Sequence, residues 1–227
     1  MKILAFDTSN QALSVALAED GDLIADIMLT IKKNHSVTLM PAIDFIMAAA
    51  DWQPRDLDRI VVAQGPGSYT GLRITVATAK TMAMTLGCDL VGVSSLRSLV
   101  PDGLDGLVVP LINARRQAVY AGFYKDGESQ RPDAYMPLEE VLNDLAAYEH
   151  VYLTGEAMDF EKLIYEKLPH AHLLPTLPSA FDIAMIGAEM ISCEPHGFNP
   201  VYLKRVEAEE KWLEDHEPGT KDYISRI

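Results

Sequence analysis

The sequence predicts an α/β protein made of two similar halves. Short apolar runs of strand length alternate with longer runs of helical period. The first half reads strand, strand, strand, helix, strand, helix, strand, and a second round of the same kind begins near Leu107. Between the rounds lies Gly103-Leu104-Asp105-Gly106, a natural lobe boundary. The chain has 227 residues, 48% of them hydrophobic, which suits one large domain or two lobes.

In chain order, 2–7 (KILAFD), 12–18 (ALSVALA) and 22–31 (DLIADIMLTI) read as strands joined by turns at Ser9-Asn10 and Glu19-Asp20-Gly21, short enough for antiparallel hairpins. A helix is predicted at 37–50, a strand at 59–64, a helix at 71–87 and a strand opening at Asp89, with connections that suit parallel crossovers. In the second round LVVPLIN, QAVYAGFY and VYLTG read as strands, and 137–148, 157–168 and 181–193 as helices. The end of the chain, EAEEKWLEDHEPGTKD, is a charged run that reads as solvated.

The formal net charge is -14. Nucleic-acid affinity rests largely on Lys and Arg displacing counterions from phosphates, so a role in RNA chemistry is expected to be indirect. Cys88 and Cys193 are the only cysteines and have no metal-like spacing, which predicts free thiols in a reducing cytoplasm. No apolar run is long enough to span a membrane, and Asp7 interrupts the start too early for a signal peptide.

Residues 63–73, AQGPGSYTGLR, form a glycine-rich corner between a strand and a helix. Gly65, Gly67 and Gly71 are spaced one residue longer than the dinucleotide fingerprint, and no Gly-Lys-Ser/Thr follows. Backbone N–H groups at the helix start remain able to meet an anion. The plainer reading is a sharp turn in which glycine supplies the backbone geometry and Ser68 or Thr70 caps the helix. Ser68 is not in the G-x-S-x-G setting of a nucleophile elbow.

Asp7 ends the first strand, where nucleases and ATPases of related topology keep a metal-linked carboxylate. The fourth strand ends in Gln64 rather than an acid, and Thr8-Ser9-Asn10 follow Asp7 where a phosphate hairpin would want glycine. Turn hydrogen bonds from Asp7 and Thr8 are the alternative. His170 and His172 read as an exposed loop pair, with a metal pair on one strand face the other possibility. No metal or cofactor is expected.

The two long helices are apolar nearly all round. At about 100° per residue, Leu39, Met40, Ile43, Ile46, Met47 and Ala50 form the inward stripe of the first. Its other side carries Val37, Pro41, Ala42, Phe45, Ala48 and Ala49, and Pro41 predicts a kink or a late helix start. In the second helix Leu72, Val76, Ala79, Met82, Ala83 and Leu86 point inward, with Ile74, Ala77, Thr78, Thr81, Met84 and Thr85 elsewhere and only Arg73 and Lys80 charged. Such helices are either covered by the second lobe or face a partner. The predicted partner face is Val37, Phe45, Ala48, Ala49, Arg73, Ile74, Ala77, Thr78, Thr81 and Met84.

Taken together, ILAFDTSNQALSVAL, the His35-Ser36 helix start, GPGSYTGLR, INARRQAVYAGFY and PVYLKR resemble the TsaB (YeaZ) family. The resemblance implies a two-lobed actin-like (ASKHA), RNase H-like fold with mixed sheets flanked by helices. It implies lobes at 1–104 and 105–198, with 199–227 returning to the first. It also implies an accessory, non-catalytic part in making N6-threonylcarbamoyladenosine (t6A) on tRNA. The partners would be the transferase paralogue TsaD and the ATPase TsaE, with a homodimer when alone and tRNA met only through the complex. TsaD has a His-x-x-x-His metal pair where this chain has Ser95 and Leu99 in VGVSSLRSLV, so no metal-dependent transfer is expected. The family's Asp-Ala-Arg is here Asn113-Ala114-Arg115, which removes a charge; Arg115 and Arg116 then bridge within the lobe, or meet an acidic partner or tRNA phosphate. The rival reading is an actin-like phosphotransferase using Asp7 and the Gly65–Gly71 loop. A glycoprotease, an older label for the superfamily, lacks a recognisable metal or nucleophile.

Overall fold

The computed structural model describes residues 1–31 and 35–204; the charged run from Glu207 onward and Arg205 of the PVYLKR marker lie outside the described residues. The first half contains β1 (Lys2–Asp7), β2 (Leu13–Glu19), β3 (Asp22–Leu29), α1 (His35–Ala49), β4 (Arg59–Gly65), α2 (Tyr69–Leu86) and β5 (Asp89–Ser94). They form a five-stranded sheet in the order β3-β2-β1-β4-β5. The β1–β2–β3 meander is antiparallel, and β4 and β5 add in parallel beside β1. Asp20 and Gly21 both have positive φ, 51° and 96°, the backbone that a two-residue hairpin turn needs to match strand twist.

The second half repeats that arrangement with β6 (Leu107–Asn113), β7 (Ala118–Lys125), β8 (Glu128–Pro137), α3 (Leu138–Leu145), β9 (Val151–Gly155), α4 (Glu161–Lys167) and β10 (His172–Leu174), in the order β10-β9-β6-β7-β8. The two sheets therefore share one topology. Two strands escape the sequence pattern. β8 carries Glu128, Gln130, Arg131 and Pro132 and lies at the sheet edge, where Pro and charge are tolerated and hydrophobic alternation is not required. β10 has three residues, too few to show a period, so His172 sits on a strand rather than a loop.

α1 and α2 cover one face of the first sheet, packing Leu39, Ile43, Ile46, Val76 and Ala79 against Leu4, Phe6, Val15 and Val62. The other face is covered by α5 (Ala180–Ala188), through Ala180, Ile183 and Ala184 against Ala5, Ala16, Val61 and Val91. Chain order assigned 181–193 to the second lobe, whereas its packing is on the first sheet. A Cβ at Gly187 would lie 2.2 Å from Val61, so only glycine permits that approach. The Arg59 guanidinium donates to the carbonyls of Gly187, Ala188 and Met190 at 2.8, 3.0 and 2.9 Å, satisfying acceptors that a helix end leaves open. Burial on both faces explains why β1, β2 and β4 read as near-continuous apolar runs.

Phe198 joins the first core, and the chain returns along β4 with the Val201 N–H donating to Gln64 O at 2.8 Å. Between the sheets, the Ser94 hydroxyl and the Tyr124 hydroxyl both donate to Asp133, the latter at 3.0 Å. α1 continues through Pro41 from His35, so the expected late start is not found; Val37, whose carbonyl a residue at 41 would otherwise bond, is solvent-exposed. No helix among the described residues is long and apolar enough to cross a membrane.

Candidate docking face and the corner behind it

α1 and α2 pack side by side, and neither the second sheet nor its helices cover their outer surfaces among the described residues. Val37 and Phe45 are 63% and 65% exposed, and Met84 46%. Of the predicted face, Ala48, Ala49, Arg73, Ala77 and Thr81 are also exposed, and Ile74 and Thr78 are half-buried. Two assignments on α1 change places: Met40, expected inward, is 48% exposed, and Ala42, expected outward, is buried. Met82 and Leu86 of α2 are half-buried rather than core.

Arg73 is held locally. Its guanidinium lies 4.0 Å from the Tyr69 ring centroid and donates to the Tyr69 hydroxyl and, at 3.2 Å, to the Tyr202 hydroxyl. The Tyr69 and Tyr202 rings are 5.1 Å apart. Sequence reasoning missed Tyr69 and Tyr202 because the aromatic pair is assembled from segments 133 residues apart in number, and only the fold brings them to one edge.

Behind this face the glycine-rich corner is filled by protein. The Ser68 N–H donates to Ser9 O at 2.7 Å, and Ser68 Oγ accepts from the Gly71 N–H at 3.3 Å as the α2 cap. A Cβ at Gly71 would lie 2.0 Å from the Thr8 carbonyl, and one at Gly67 2.5 Å from the Ser9 carbonyl. Thr8 Oγ1 donates to Gly71 O at 2.8 Å and lies 2.6 Å from Thr75 Oγ1. The glycines let the start of α2 rest directly on the β1–β2 turn. Two of the amides at this helix start are already spent on Ser9 and Ser68.

Asp7 is fully buried. Its Oδ1 accepts from the Ser9 N–H at 2.6 Å, while Oδ2 has no hydrogen-bond partner. Burial pushes its carboxyl up to about 6, against the opposing pull of the Ser9 hydrogen bonds. Gly67 and Ser9 line the open cleft between the sheets; Asp7 does not. The structure thus seals Asp7 away from the space that its proposed partners in a nucleotide site would share. Ser95 is buried, and Leu99 packs among Leu96, Val100, Val108 and Ile112. A hydroxyl and an isobutyl group supply neither imidazole of a His-x-x-x-His pair. His170 Nε2 lies 3.0 Å from Tyr148 O, and His172 stacks on Tyr152 at 5.1 Å. The described residues contain no group of three or more His, Cys, Asp or Glu placed to hold a metal.

Asn113 accounts for its departure from the Asp-Ala-Arg pattern. Its Nδ2 donates to Asp159 Oδ2 at 2.8 Å, its Oδ1 accepts from the Arg115 N–H at 2.9 Å, and its own N–H donates to Glu156 Oε2 at 2.7 Å. A carboxylate here would face Asp159 as a like charge, so the amide donor fits this setting and Asp does not. The turn that follows holds Arg115, Arg116 and Gln117 at φ 65°, 53° and 57°. It borders the cleft of about 800 Å³ between the sheets, together with Gly67–Thr70, Tyr120, Glu156, Tyr202 and Lys204.

Residues 23–189 match the family model described as TsaD, tRNA N6-adenosine threonylcarbamoyltransferase. The chain is 39% identical over 226 residues to the tRNA threonylcarbamoyladenosine biosynthesis protein TsaB of Bacillus subtilis (strain 168), covering 94% of this chain and 99% of that one. Among solved structures it is similar to YeaZ from Pseudomonas aeruginosa, with TM-score 0.76, 28% identity, and coverage of 89% of this chain and 99% of the other. The activator of the 2-hydroxyisocaproyl-CoA dehydratase from Clostridium difficile, at TM-score 0.52, 9% identity and coverage of 97% and 100%, shares the fold alone. With that fold, and with close relatedness along nearly its whole length, the chain belongs to the TsaB (YeaZ) family of tRNA threonylcarbamoyladenosine biosynthesis proteins.

Proposed function

We propose that this protein is an accessory, non-catalytic subunit of the t6A machinery, acting by docking TsaD, the transferase paralogue, through the outer faces of α1 and α2. The observation that carries the reading is the pair of helices left uncovered among the described residues, with Val37 and Phe45 about two-thirds exposed beside Ala77, Thr81 and Met84. Apolar surface of this extent is normally an interaction site. Small residues along α2 allow another helix to approach closely, and a standard interface of about 1,600 Å² fits two such helices per partner. With TsaD absent, the same surface pairs two copies of the chain; TsaE joins the assembly, and tRNA is met through the complex. Support for the non-catalytic part is the sealed Asp7, the occupied corner and the core positions of Ser95 and Leu99.

The Ala77→Glu substitution places a charge in the middle of the face without touching the core. Size-exclusion co-elution with TsaD is expected for the wild-type protein and lost for Ala77→Glu, with an unchanged circular dichroism spectrum. Undiminished co-elution of the variant would count against this face.

A further inference from the structure

The outer surface of α2 carries a fixed positive charge and no acid. Arg73 and Lys80 are the only charged residues of this helix, and Asp44 is the only acid of α1. The chain as a whole has 33 acids against 19 Lys and Arg, so this surface departs from the composition around it. Lys80 is engaged, its Nζ donating to His196 O at 2.6 Å. Arg73 is exposed and forms no ion pair among the described residues. Its side chain is nevertheless held in place. The guanidinium lies 4.0 Å from the Tyr69 ring centroid, Nε donates to the Tyr202 hydroxyl at 3.2 Å, and Nη2 donates to the Tyr69 hydroxyl. Both acceptors are neutral oxygens, so the charge stays uncompensated. Of the five N–H donors in the planar fork, those on Nη1 have no partner among the described residues. Tyr69 and Tyr202 are themselves 41% and 42% exposed. Tyr and Arg are among the residues that dominate binding energy at interfaces, and an ordered guanidinium loses less freedom on pairing.

We propose that Arg73, braced by Tyr69 and Tyr202, is the anion anchor of the docking face: it takes a carboxylate of the docked protein and thereby favours an acid-bearing partner over a second copy of this chain. The proposal rests on α1 and α2 being the surface that docks TsaD. When a partner covers the face, Arg73 loses water, and a desolvated charge without a counter-charge is costly. The two tyrosine hydroxyls cannot neutralise it. A carboxylate opposite the open end of the fork forms a charge-assisted, bidentate pair. From the same two helices, a second copy brings Asp44 on α1 and nothing acidic on α2. Phosphates of RNA also suit a guanidinium, but a chain of net charge -14 repels a polyanion. Tyr202 arrives with the chain that returns along β4 beside Val201. It acts as a positioning residue, so the anchor is complete only when that return is in place.

The test measures affinity for TsaD on a biosensor and self-association by analytical ultracentrifugation, both with the full chain. Arg73→Gln removes the charge at an exposed position, and an unchanged thermal midpoint checks that the fold is kept. Its affinity for TsaD is expected to fall about tenfold or more, chiefly through faster dissociation, while the self-association constant changes less than about threefold. Arg73→Lys should recover part of the loss, since a point charge cannot form the fork. Tyr202→Phe keeps the ring and loses the brace, and should weaken TsaD binding by about threefold. Between about 50 and 300 mM salt, wild-type affinity should fall more steeply than that of Arg73→Gln, a difference that packing alone does not produce. Unchanged TsaD affinity in Arg73→Gln, or equal loss of TsaD binding and self-association, would overturn the proposal. Ala77→Glu separates the two readings. If it abolishes TsaD binding while Arg73→Gln does not, the face stands and the anchor falls; if neither substitution matters, the face falls as well. Binding of unmodified tRNA to the protein alone that Arg73→Gln abolishes, with TsaD affinity unchanged, would overturn the proposal by assigning the fork to phosphate.

Discussion

Asp7 carries a cost that its neighbours only partly offset. Its carboxyl is fully buried with one oxygen unpartnered, and its folded-state value of about 6 lies above the value of about 3.9 expected in the unfolded chain. A raised acid pKa means the folded state holds the proton longer. Between pH about 4 and 6 the native protein therefore binds more protons than the unfolded one, and stability falls as pH rises through that window. Asp7→Asn keeps an oxygen for the Ser9 N–H and removes the charge. Chemical denaturation should find Asp7→Asn more stable than wild type by roughly 1–3 kcal/mol at pH 7.5, with the gap closing below pH about 4. A gap independent of pH would show that the carboxylate is not the cause. The sequence placed Asp7 at a strand end but left its role open, because burial of a turn carboxylate depends on what the β1–β2 loop packs against. Asn113 was legible as a departure from a pattern, whereas its donor role required seeing Asp159, which the short turn after β9 brings beside it from 46 residues on.

At the scale of elements, the helices test which face is which. Ala79 is fully buried against the first core and Ala77, two residues away, is exposed. Ala79→Glu should lower the urea midpoint by the equivalent of about 3 kcal/mol or more, since a charge then enters an apolar core without a partner. Ala77→Glu should stay within about 0.5 kcal/mol of wild type. Equal losses would mean the two faces are not distinct. Helical periodicity gave most of α1: Leu39, Ile43, Ile46 and Met47 are buried as read. It misplaced Met40 and Ala42 because both lie about 80° from the centre of the stripe, one on each side, and both are apolar. Only the tilt of the helix on the sheet decides between them. β8 was invisible for another reason: an edge strand with one partner needs no alternation. The side on which α5 packs was equally hidden, since a short apolar helix fits either sheet and Gly187 reveals its use only against Val61.

Across the whole molecule, one topology appears twice, and the two copies have different surroundings. The first sheet is covered on both faces and presents α1 and α2 outward; the second covers one face with α3 and α4 and meets the first through the turn at 97–99 and the Ser94–Asp133–Tyr124 hydrogen bonds. The repeated order of strands and helices was readable from the sequence because each half is a run of local patterns. The cleft was not, because it arises only when the halves face each other. In this account the glycine-rich corner launches a docking helix, and the chemistry belongs to a partner. The most direct measurement is incorporation of labelled threonine into unmodified tRNA by the threonylcarbamoyl-adenylate-forming enzyme, TsaD and TsaE, with this protein omitted, present as wild type, or present as Ala77→Glu. The account predicts incorporation with the wild type alone of the three; equal incorporation in its absence would contradict it.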